Sequence, residues 1–69
     1  MKELDVVTLK RDLPGVPVPV TALGTIVFDF SVEPPVFEVE FVDDASRTIR
    51  VYTIKQGDLD LKIPYEGSK

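Results

Sequence analysis

Val36-Phe37-Glu38-Val39-Glu40-Phe41-Val42 places Phe37, Val39 and Phe41 at alternate positions, with Glu38 and Glu40 between them. Side chains along a strand point to opposite faces in turn, so this stretch reads as a strand with one buried and one wet side. A helix would space its apolar residues three and four apart, and this stretch does not.

Thr48 to Ile54 reads the same way, with Ile49, Val51 and Thr53 on one face and Arg50 and Tyr52 on the other. Antiparallel neighbours share faces. Matching the apolar sets predicts Phe41 opposite Ile49, Val39 opposite Val51 and Phe37 opposite Thr53. Glu40 then meets Arg50 and Glu38 meets Tyr52 on the wet side. This register leaves Asp44-Ala45-Ser46 as a three-residue loop, whose left-handed position, favouring Gly, falls on Ser46.

Towards the N-terminus, Gly24 to Phe30 predicts another strand, with Ile26, Phe28 and Phe30 on one face. Phe28, Phe30, Phe37 and Phe41 are all expected in the core. Ser31 to Pro35 connects the two strands, because Pro34-Pro35 cannot sit inside a ladder. Leu4 to Leu9 is the first strand and Asp12-Leu13-Pro14-Gly15 a turn. Val16-Pro17-Val18-Pro19-Val20 is extended but barred from a central strand, and reads as a long stiff loop. Lys55 to Leu59 is a short turn of 3₁₀ type, and Leu59 to Ile63 the last strand, stopped by Pro64. The expected fold is all-β: a small five-stranded SH3-like barrel, with a long loop after strand 1 and a 3₁₀ turn before strand 5. The domain is expected over residues 1–64, with 65–69 a flexible tail.

Composition narrows the chemistry. The chain has 69 residues, enough for one domain with a small core. It has no Cys and no His, so disulfides, thiolate metal sites and the commonest general base are excluded. No apolar run reaches the ~20 residues of a membrane span. Met1 to Asp5 lacks the apolar stretch of a signal peptide. A Cys-free chain suits a reducing compartment, so a cytoplasmic protein is expected. The net charge is −4 and the basic residues are dispersed, which argues against nucleic acid as partner, since phosphate binding needs clustered Lys and Arg.

These residues carry a resemblance. Leu4-Asp5-Val6-Val7, Asp12-Leu13-Pro14, Gly24-Thr25-Ile26-Val27, Phe37 to Asp43, Arg47-Thr48, Thr53-Ile54 and Leu59 together resemble the DUF4926 family of small bacterial proteins. Two family glycines are replaced, by Thr21 and Ser46, both in predicted turns. The resemblance implies an SH3-like barrel without an assigned activity. It also suggests a setting on mobile DNA or beside toxin-like genes.

Catalytic and metal-binding patterns are absent from the sequence. Ser31, Ser46 and Ser68 fall in predicted loops or the tail, with no His to activate them. Asp43-Asp44 lacks the spacing of a calcium loop and is better explained as turn chemistry. No cofactor and no metal site is expected. Glu38 and Glu40 read as a solvated face across from Arg50, not as a catalytic pair. Glu38, Glu40, Arg50 and Tyr52 form the candidate interaction surface, because Tyr and Arg are enriched at protein interfaces. The expected role is a non-enzymatic protein-interaction module, with a protein partner or self-association. The alternatives are an antitoxin- or immunity-like protein that blocks a specific basic partner, and an RNA- or ribosome-associated KOW-like barrel.

Overall fold

A computed structural model describes residues 1–42 and 48–67. The strands are β1 (Val6–Leu9), β2 (Gly24–Asp29), β3 (Val36–Val42), β4 (Thr48–Lys55) and β5 (Leu59–Ile63), with a 3₁₀ turn at Gln56–Asp58. The all-β class, the five strands, the long loop after β1 and the 3₁₀ turn before β5 are all as expected. The loop expected at Asp44-Ala45-Ser46 lies outside the described residues.

The strands form one antiparallel sheet in the order β4-β3-β2-β1-β5. The expected closure into a barrel does not occur, since β4 and β5 end the sheet on opposite sides. The 3₁₀ turn leads the chain directly onto the far side of β1, where Leu9 meets Leu59. The sheet therefore curls around its apolar face. Val7, Leu9, Ile26, Phe37, Val39, Phe41, Ile54 and Leu59 meet in one cluster there.

The loop after β1 covers that cluster. Leu13 accepts a hydrogen bond from Val16 N–H at 3.1 Å across Pro14-Gly15. Gly15 has φ +78°, the left-handed value that the third position of a type II turn requires. The prolines then hold the chain extended. Val18 is buried in the cluster, with Leu13, Val16 and Ala22 packed against it, while Pro17 and Pro19 remain exposed. Burying a Val side chain contributes about 1.5–3 kcal/mol, so this loop is part of the core.

Of three irregularities in the sheet, one of them between β1 and β5, two set the faces of β2 and β4. Between β2 and β3 the pairs run Gly24–Phe41, Thr25–Glu40 and Ile26–Val39, and then skip to Phe28–Glu38 and Asp29–Phe37. Val27 is the extra residue. Beyond it Phe28 shares a face with Glu38, where an unbroken alternation would have placed it inward. Phe28 and Phe30, expected in the core, are 48% and 38% exposed. Between β3 and β4 the pairs are Phe37–Ile54, Val39–Tyr52 and Phe41–Arg50, with a second irregularity before Val42–Thr48. The expected register is therefore displaced by one residue over most of β4. Tyr52 and Ile54 turn inward, and Val51 and Thr53 outward. The physical reason is apolar area: Ile54 and the Tyr52 ring cover more of Phe37, Phe41 and Val39 than Val51 and Thr53 could.

Gly24 lies where β2 crosses the aromatic core. A Cβ there would fall 2.6 Å from Val39 Cγ1 and 2.8 Å from Phe41 Cε1. Gly24→Ala is expected to cost about 1–3 kcal/mol through overpacking. That is a fall in melting temperature of about 4–8 °C per kcal/mol in a domain of this size. An unchanged melting temperature would show that β2 does not cross Phe41 at this distance.

Asp5 ties the two ends of the chain together. It is buried. Its carboxylate accepts hydrogen bonds from Lys2 N–H at 2.8 Å, Lys2 Nζ at 3.0 Å and Tyr65 N–H at 2.7 Å. Tyr65, expected in a frayed tail, is thereby held against β1. Burial raises the Asp5 pKa, but the Tyr65 and Lys2 N–H groups and the Lys2 ammonium outweigh it, leaving a value below the ordinary 3.8. As pH falls, the unfolded chain binds this proton first. The stabilisation is thus complete above pH 3.8 and is lost as pH drops through the lowered value. Asp5→Asn is expected to destabilise the protein near neutral pH by about 1.5–3 kcal/mol. The gap to wild type, followed by denaturant unfolding, should narrow as pH falls below 3.8 and through the lowered value. A gap independent of pH would contradict the role assigned to the carboxylate.

Candidate functional site

Beyond the core, the sheet presents an outer face built by β2, β3 and β4. Its cross-strand rows follow from the register: Phe28–Glu38–Thr53 and Thr25–Glu40–Val51, with Val36 opposite Lys55. Phe30 adjoins Val36, whose carbonyl accepts its N–H at 3.2 Å. The Phe28 and Phe30 rings meet edge to face, with centroids 5.0 Å apart and planes at 80°. Val27 and Val51 are also exposed.

This face exists because of the Val27 bulge. A bulge re-aims the side chains that follow it, and bulges recur beside functional sites. Exposed single apolar residues are ordinary. An edge-to-face aromatic pair with exposed Val27 beside it is more than a scattered apolar residue, and contiguous apolar patches mark interaction surfaces. Aromatic residues are also enriched at the cores of protein interfaces.

The structure separates the four residues singled out from the sequence. Glu38 and Glu40 lie on the outer face, half-buried. Arg50 is exposed but sits in the row of Phe41, on the other side of the sheet. Tyr52 is half-buried on that same side and packs against the core. Its ring centroid is 6.4 Å from that of Phe41. The expected Glu40–Arg50 and Glu38–Tyr52 pairs are therefore not formed. Glu38 has Phe28 and Thr53 as its cross-strand neighbours instead. Sequence reasoning missed Phe28, Phe30 and Val51 as surface residues.

The remaining chemistry is structural. Asp5 is a buried acid, but all its partners tie the chain to itself. Arg11 Nη2 bonds Asp58 Oδ1 at 2.8 Å, fixing the end of β1 to the 3₁₀ turn. Among the described residues no group of three His, Cys, Asp or Glu could hold a metal ion. No buried side-chain polar atom among them lacks a hydrogen-bond partner. A cleft of about 470 Å³ between the end of the long loop and β1 and β5 is lined by Thr8, Lys10, Val20, Leu23, Asp60 and Lys62. It lacks the apolar enclosure with convergent polar groups that small-molecule sites have. No described helix is long and apolar enough to cross a membrane.

No curated protein and no solved structure matches the chain. The sequence model of one family, described as a domain of unknown function, DUF4926, matches residues 3–61. That span takes in β1 to β4, the Val27 bulge and the start of β5. With most of its length matched, the chain belongs to the DUF4926 family.

Proposed function

We propose that this protein is a non-enzymatic protein-interaction module whose docking surface is the outer face around Phe28 and Phe30. The observation that carries this reading is the β2 bulge. It turns two phenylalanines from an alternation that would bury them into an edge-to-face, solvent-facing pair. In a chain this small, two core-sized aromatics given to solvent are a loss of stability that binding would offset.

An antitoxin- or immunity-like role is one form such a module could take; a reducing cytoplasm is the setting the Cys-free composition suits, and a bacterial host is what the family resemblance implies. The RNA-associated reading has less support. Platforms that stack bases on aromatics set them in a positively charged groove, whereas Glu38 stands directly beside Phe28.

The test is retention of a partner from host lysate on the immobilised protein, compared with the Phe28→Ser/Phe30→Ser double variant. The wild type is expected to hold one protein at stoichiometric amount, and the variant at least about tenfold less. The variant should fold, losing about 1 kcal/mol for the ring pair, whereas Phe37→Ser should lose about 3–5 kcal/mol from the core. Equal retention by the double variant, or retention of nucleic acid alone, would overturn the reading.

A further inference from the structure

We infer that the partner of the outer face is a protein segment in which apolar side chains alternate with Arg or Lys; this inference rests on the docking surface proposed above. It follows from the position of Glu38. Neighbouring strands lie about 4.8 Å apart, and Glu38 is directly opposite Phe28. Any partner that covers the Phe28 ring also removes water from the Glu38 carboxylate.

Among the described residues that carboxylate forms no ion pair. Its cross-strand neighbours are Phe28 and Thr53. The β3–β4 register carries Arg50 to the opposite side of the sheet. Lys55 lies on the same face, one row from Glu38 and opposite Val36, and forms no ion pair with it. The next charged residue of β3 on the same face, Glu40, is itself an acid, and Glu33 lies exposed in the connection that follows Phe30.

A neutral or acidic partner would therefore leave a buried, uncompensated charge at the centre of the contact, which is strongly disfavoured. A cationic side chain removes the penalty and adds a charge-assisted hydrogen bond. Arginine fits best. Its planar guanidinium can bridge the Glu38 oxygens while lying over the Phe28 ring, a cation–π geometry that Lys provides less well. The apolar residues of the segment would cover Phe30 and Val51.

Three fluorescein-labelled peptides test the inference: one alternating Leu and Arg, one alternating Leu and Glu, and one alternating Ser and Arg. Each is titrated against the whole protein by fluorescence anisotropy, and its footprint is mapped by amide chemical shifts. The Leu–Arg peptide is expected to bind at Phe28, Phe30 and Glu38. Glu38→Gln should weaken it at least about tenfold, with the fold of the variant checked by its amide spectrum. The Leu–Glu peptide should not bind. If it binds the same residues as tightly, the docking face stands and the basic partner is wrong. If the Ser–Arg peptide matches Leu–Arg, the attraction is diffuse charge and the inference fails. No saturable Leu–Arg binding, or a footprint away from β2 and β3, overturns the inference and removes support from the docking face as well.

Discussion

The ladder between β2 and β3 has to accommodate one residue more on β2 than on β3, and Val27 is that residue. The aromatic pair on the outer face follows from it. Up to Ile26 the strand feeds the core, with Gly24 against Phe41 and Ile26 against Val39. After Val27 the same alternation works in reverse, and Phe28 faces water beside Glu38. The second irregularity, near the start of β4, has the complementary effect. It turns Tyr52 and Ile54 inward, so the core takes an aromatic ring from β4 on the same side from which β2 has withdrawn two. The curled sheet thus has a core filled by Phe37, Phe41, Tyr52 and Ile54, and an outer face that offers Phe28 and Phe30.

A chain of 69 residues without Cys or His must hold such a sheet by other means. Two local devices serve. Val18, held extended between Pro17 and Pro19, enters the core from the loop after β1. Asp5 gathers Lys2 and Tyr65 at one carboxylate, joining the segment before β1 to the segment after β5. Charge-assisted hydrogen bonds to a buried carboxylate are among the stronger ones available to a protein. These devices secure the inner side of the sheet and its ends. Among the described residues no element covers the outer face, as the proposed docking surface requires.

Much of the fold is legible in the sequence. Phe37, Val39 and Phe41 alternate with acids, and the structure buries all three. The bounds of β3 and β5 follow from Pro35, Pro64 and the alternation between them. The 3₁₀ turn follows from Gly57 and its charged neighbours. The faces of β2 and β4 are not legible, for a physical reason. A bulge changes the side on which every later residue falls, and neither Val27 nor Ile49 is a glycine that would mark one. In Ile26-Val27-Phe28-Asp29-Phe30 both parities contain apolar residues, so the pattern alone admits either side. In β4 the alternation of Ile49, Val51 and Thr53 outweighed the larger apolar area of Tyr52 and Ile54. The interaction quartet inherited that error. Glu38 and Glu40 lie on the wet face in either register, while Arg50 and Tyr52 share it only in the register one residue off. The burial of Asp5 could not be read at all, because its partners lie at both ends of the chain.

The exposure of Phe28 and Phe30 is the point on which the docking surface stands. The most direct measurement is the broadening of phenylalanine ring proton signals by a soluble paramagnetic probe added to the free protein. Strong broadening of Phe28 and Phe30, with Phe37 and Phe41 protected, is the predicted result. Equal protection of all four rings would mean that β2 runs without its bulge and that the outer face has no aromatic pair to offer.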